Sequence, residues 1–99
     1  MNIQKMMQEA QRMQATLKRK MDEFDETEFE YSYQNYVTLK IKGSLEIVDL
    51  QINKDIIDPE DPDTLQDLII AATNKAIHDT QAKKDEIARK VAPSLNGLI

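Results

Sequence analysis

Apolar residues change their spacing twice along this chain, and that order confines it to few folds. Ile3, Met6, Ala10, Met13, Leu17, Met21 and Phe24 recur at steps of three and four, which draws one stripe along an α-helix. No Gly or Pro interrupts the run, and its Gln, Met, Lys, Arg and Ala residues are good helix formers. The spacing predicts a single helix from Met1 to about Phe24. Lys5, Arg12 and Arg19 fall seven apart on the side away from the stripe, beside Gln4 and Gln8. Met7 and Gln14 sit at the edge of the stripe.

The period then becomes two. Val37, Leu39 and Ile41 alternate with Thr38, Lys40 and Lys42 before Gly43, the pattern of a half-buried strand ending in a turn. Leu45, Ile47, Val48, Leu50 and Ile52 follow after the short Gly43-Ser44 connection, which predicts a hairpin. Val48 beside Ile47 breaks the alternation, so this strand carries a bulge or is covered on both faces. Phe29, Tyr31 and Tyr33 alternate with polar residues over Glu28–Gln34 and predict a strand before these two, joined by a tight turn near Gln34-Asn35. The economical arrangement is a three-stranded antiparallel meander.

Pro59 and Pro62 exclude strand or helix interior between Asn53 and Asp63. Asp61-Pro62 reads as an N-cap followed by proline at the first helical position, with Asp63 and Asp67 suited to the positive end of the helix dipole. The second helix is expected from Pro62 to about Val91, stopping before Pro93. Its first half is apolar on one side through Leu65, Leu68, Ile69, Ala72 and Ala76, and on another through Ile70 and Ile77. A helix with two apolar faces must cover its own sheet and meet something else: the first helix, a second subunit, or both. The fold class is therefore α+β, in the order α-β-β-β-α, as one domain over residues 1–92 with a loose tail over 93–99.

Ninety-nine residues make a thin core, which a partner subunit would help to complete. With no Cys there is neither a disulfide nor a thiolate metal site. No apolar run approaches a membrane span, and the polar amphipathic start lacks the continuous apolar stretch of a signal peptide. The expectation is a soluble protein of the cytoplasm.

Charge is sorted along the length, although the total is −5. Residues 1–20 hold Lys5, Arg12, Lys18, Arg19 and Lys20 against the single acid Glu9, a net +4. Residues 21–30 and 55–67 each carry six acids and no base. From residue 68 onward Lys75, Lys83, Lys84, Arg89 and Lys90 face three acids, a net +2. In the expected fold the acids lie where the helices join the sheet, and the bases lie toward the helices' far ends. A dimer built through the sheet or the second helix would present two basic projections, a salt-dependent clamp for a polyanion such as duplex DNA.

Enzymatic and metal chemistry find little support. His78 is the one histidine and has no Cys beside it, so it reads as solvated rather than ligating. The acids from Asp55 to Asp63 lack the spacing and central Gly of a calcium loop. Ser32, Ser44 and Ser94 have no base partner of recognisable pattern, and two glycines cannot form a phosphate loop. The methionine stripe suits core or dimer packing, and Tyr31, Tyr33 and Tyr36 suit sheet packing.

Three stretches in order, NIQKMMQEAQRMQ (Asn2–Gln14), VTLKIKG with VDLQIN (Val37–Gly43, Val48–Asn53) and DPDTLQDLIIAATNKA (Asp61–Ala76), resemble the YbaB/EbfC family of bacterial nucleoid-associated proteins. The family commonly has Lys where this chain has Gln8, and a Gly-rich loop where it has Tyr33-Gln34-Asn35-Tyr36. The resemblance implies an α-β-β-β-α protomer, a homodimer with helices extended like tweezers, and DNA binding in the nucleoid.

Together these readings predict a homodimer that holds double-stranded DNA mainly through phosphates, with no cofactor, metal, membrane or small-molecule substrate. The candidate contacts are Lys5, Arg12 and Arg19 of the first helix with Lys83, Lys84, Arg89 and Lys90 of the second. Lys18 and Lys20 assist, and Gln4, Gln8 and Gln11 supply hydrogen bonds. The competing expectations are a dimeric protein-interaction scaffold whose basic faces are merely solvated, and a dimer that only stabilises the fold.

Overall fold

A computed structural model describes residues 2–92; Met1 and the expected tail over 93–99 lie outside them. Helix α1 spans Ile3–Glu26, strands β1, β2 and β3 span Glu28–Tyr33, Val37–Lys42 and Ile47–Ile52, and helix α2 spans Pro62–Val91, with a short 3₁₀ turn at Lys54–Ile56. The strands form one antiparallel sheet in the order β1-β2-β3. The described residues extend over 71 × 23 × 15 Å.

Side-chain oxygens start both helices. Asn2 accepts the Lys5 amide at 3.2 Å, and Asp61 accepts the Thr64 amide at 3.3 Å ahead of Pro62. Gln34 and Asn35 both adopt positive φ, 52° and 62°, so β1 and β2 are joined by the mirror-image turn whose twist suits a hairpin. The bulge expected at Val48 is present. Lys40 opposes Asp49 and Ile41 opposes Ile47, leaving Val48 without a partner.

The inner face of β2 makes the core. Val37, Leu39 and Ile41 are at most 1% exposed and lie against Ala72 and Ala76 of α2, with Thr80 buried one turn further on. Small residues at steps of four let the helix settle close to the sheet. Burying three such aliphatic side chains contributes about 1.5–3 kcal/mol each. The Tyr31 hydroxyl meets Thr80 Oγ1 at 3.2 Å and ties edge strand β1 to the same helix. Ile77 departs from its expected place, since it joins the rim of this core rather than a second apolar face; Ile70 remains 58% exposed.

The root of α1 is locked to the β2–β3 turn. Phe24 is buried, its ring centroid 5.2 Å from that of Phe29. The Gly43 amide donates to the Thr27 carbonyl at 2.9 Å and the Ser44 amide to the Asp25 carbonyl at 3.3 Å. A Cβ on Gly43 would run into the Phe24 carbonyl oxygen and ring, so glycine is required here by close approach.

Candidate nucleic-acid interface

The outer face of the sheet offers no basic surface. Glu28 opposes Lys42, Glu30 opposes Lys40, and Lys40 opposes Asp49, so each lysine lies between or beside acids. The cations that remain are Lys54 of the 3₁₀ turn and those of α1 and α2.

The two basic helix ends do not project separately. Beyond the sheet the last turns of α2 run back along the middle of α1, in antiparallel sense. They leave a groove of about 410 Å³ lined by Arg12, Lys20 and Lys90, with Glu9, Met13, Thr16 and Val91. The half-buried Ile87 and Val91 on α2 and Met13, Leu17 and Met21 on α1 account for this, because each helix covers part of the other's apolar stripe. Bases from both ends of the sequence thus share one arm. The segment of α1 before the groove stands alone, and every residue from Asn2 to Arg12 is exposed.

The acidic root of α1 is an ion-pairing site. Lys18 Nζ lies 2.8 Å from Asp22 Oδ2, Arg19 3.7 Å from Glu23, Lys42 3.5 Å from Glu26, and Lys84 3.6 Å from Asp25. The hydrogen bond that Lys18 donates to Asp22 raises the lysine's pKa. Acids that oppose the dipole of a helix C-terminus are compensated in this way.

The candidate cations therefore fall into three groups. Lys5, Arg12, Lys20 and Arg89 are exposed and take part in no ion pair among the described residues. Lys18, Arg19 and Lys90, the last 3.1 Å from Glu86, are in exposed pairs; such pairs are worth about 0–1 kcal/mol and yield readily to a phosphate. Lys83, exposed, and Lys84, half-buried, have their charges engaged on the body. Lys83 Nζ lies 4.4 Å from the Phe29 ring centroid and 4.8 Å from that of Tyr31, and Lys84 is half-buried on Asp25. Gln4, Gln8 and Gln11 are exposed on the free part of α1. Spacing of four in the sequence exposes the Lys18–Asp22 and Arg19–Glu23 pairs, whereas no local pattern signals the packing of Lys83 and Lys84.

Among the described residues no three acids or histidines converge as a metal site, and no helix is long and apolar enough to cross a membrane.

Known proteins resemble this chain over nearly all of its length. The sequence profile of the YbaB/EbfC DNA-binding family matches residues 1–95. A nucleoid-associated protein of Ureaplasma urealyticum serovar 10 is 43% identical over 98 residues, 99% of each chain. One from Ureaplasma parvum serovar 3 is 45% identical over 98 residues, again 99% of each chain. A nucleoid-associated protein of Malacoplasma penetrans is 42% identical over 93 residues, 94% of this chain and 99% of the relative.

Proposed function

The chain belongs to the YbaB/EbfC DNA-binding family, and on that premise we propose that it binds double-stranded DNA as a homodimer, mainly through phosphates, in the cytoplasmic nucleoid. The observation that carries the reading is the charge of the arm. Lys5, Arg12, Lys20 and Arg89 are exposed without an acidic partner among the described residues, while the acids gather at the root. An acidic protein can hold a polyanion when its field is divided in this manner. Dimerisation is supported by Ile47, Val48, Ile57 and Ile70 of the body, which are 39–58% exposed in a domain too small for a large core.

Each cation that displaces a counterion adds about −0.9 to the slope of log affinity against log salt. Four such cations on each protomer, eight in the dimer, give a loss of about ten-thousandfold between roughly 50 and 200 mM salt. Fluorescence anisotropy with two unrelated duplexes tests this, together with the Lys5→Glu/Arg12→Glu variant, whose sites are exposed and leave the fold intact. The expected result is a steep salt slope, near-equal affinity for both sequences, and a strong loss in the variant. Absence of binding at low salt, or a variant that binds as well as the parent, overturns the proposal. Sedimentation equilibrium tests the dimer, and a monomer at micromolar concentration overturns that part.

A further inference from the structure

The most exposed large apolar side chain of the described residues is at the free tip of the arm. Ile3 is 69% exposed, with Met6 at 53% and Met7 at 57%. These three lie at i, i+3 and i+4, so they form one continuous apolar patch over the first two turns of α1. The rest of the same stripe is covered progressively: Met13, Leu17 and Met21 are half-buried and Phe24 is buried. The tip patch lies beyond the groove where α2 ends. Burial in the protomer does not explain why Ile and Met occupy it.

Resting on the proposed binding of duplex DNA, we infer that Ile3, Met6 and Met7 form an apolar wedge that presses against the bases and bends the duplex. Charge decides between the possible occupants of the patch. Residues 1–20 carry a net +4, so two tips repel one another and are drawn to a polyanion. The single acid, Glu9, lines the groove with Arg12, Lys20 and Lys90, where three cations offset it. Lys5 and Arg12 lie within three turns of the patch, and Gln4, Gln8 and Gln11 flank it with groups that hydrogen-bond to phosphates and base edges. Ile and Met are among the side chains that proteins insert at base steps from the minor groove, bending DNA by about 20–90°. The bend is least costly at flexible pyrimidine–purine steps, so the wedge adds a mild preference for those steps through the deformability of the duplex.

The test uses the full chain with a duplex of about 30 base pairs carrying a central TA step and a dye at each end. Anisotropy and energy transfer are read on the same samples, with the parent and the Ile3→Ser/Met7→Ser variant. Both sites are solvent-exposed, and thermal melting verifies that the variant is folded. The parent is expected to raise energy transfer on binding. The variant is expected to bind about tenfold more weakly, with an unchanged salt slope, and to leave energy transfer at the value of free DNA. Binding by the parent without any change in energy transfer overturns the wedge and leaves the proposed function standing. A variant that bends DNA as the parent does also overturns it. So does a variant that sediments as a monomer where the parent is a dimer, since the patch is then a contact between copies. Failure of the parent to bind DNA removes the function and the wedge with it.

Discussion

Lys84 Nζ stands 3.6 Å from Asp25 Oδ1, an oxygen that is buried and accepts no hydrogen bond. This pair joins α2 to the root of α1, with the whole sheet between them in sequence, and it determines which cations remain for a ligand. Lys84→Ala leaves the Asp25 carboxylate without its counter-charge. Both side chains keep about 40% exposure, so the cost is about 1 kcal/mol rather than that of a fully buried pair. Adding Asp25→Asn should recover part of the loss. Denaturant titration of the two single variants and the double variant checks this, and strict additivity would show that the groups are not coupled.

Gly43 fixes the arm to the body. Gly43→Ala forces its Cβ into Phe24, which separates α1 from the β2–β3 turn or strains both. A loss of about 1–3 kcal/mol is expected, with earlier proteolytic cleavage between α1 and β1. Thermal melting and limited digestion with a glutamate-specific protease, for which Glu26 and Glu28 are sites, report the two effects.

Much of the fold was legible in the sequence because its determinants are local. The seven-residue spacing of the bases, the Asp61-Pro62 helix start and the interrupted alternation at Ile47-Val48 each act through neighbouring positions. Pro62–Val91 is helical as expected, whereas α1 starts at Ile3 rather than Met1 and runs on to Glu26, where the Thr27 hydroxyl donates to the Glu23 carbonyl at 2.8 Å. The arrangement of the arm was not legible. Which face of α1 receives the end of α2 depends on the path through the sheet, and Lys83 and Lys84 acquire aromatic and acidic partners only from that path. Charge per segment therefore located the basic surface but overstated how many of its bases are available.

The turn at Gln34-Asn35 carries removable strain. Both residues are left-handed, a conformation that costs a non-glycine residue about 1 kcal/mol and that Asn-Gly tolerates best. Gln34→Asn with Asn35→Gly should raise stability by about 1 kcal/mol without altering DNA affinity, because the turn lies on the body. A lower melting temperature would mean that the Gln34 side chain makes a compensating interaction.

Asp79 gives a small, signed pH dependence. A hydrogen bond from Lys75, 3.3 Å away, lowers its pKa, with a weaker contribution from His78. A carboxyl depressed by folding adds stability above its unfolded pKa and loses it as pH falls through the folded value. Asp79→Asn should therefore melt below the parent near pH 7, and the gap should close by about pH 2. A gap that persists in acid would assign the effect to packing.

Lys83 separates structural cations from those proposed to bind DNA. Its ammonium lies over the rings of Phe29 and Tyr31, so Lys83→Ala should cost about 0.5–1 kcal/mol of stability at this exposed site. Because the charge is held at the sheet edge, the slope of log affinity against log salt should stay that of the parent. Arg12→Ala should do the reverse, leaving stability unchanged and reducing the slope by about one for each phosphate it no longer neutralises. Melting curves and anisotropy at several salt concentrations measure both quantities for both variants. If Lys83→Ala reduces the slope as Arg12→Ala does while melting normally, Lys83 leaves its aromatic site on binding and the DNA surface extends across β1.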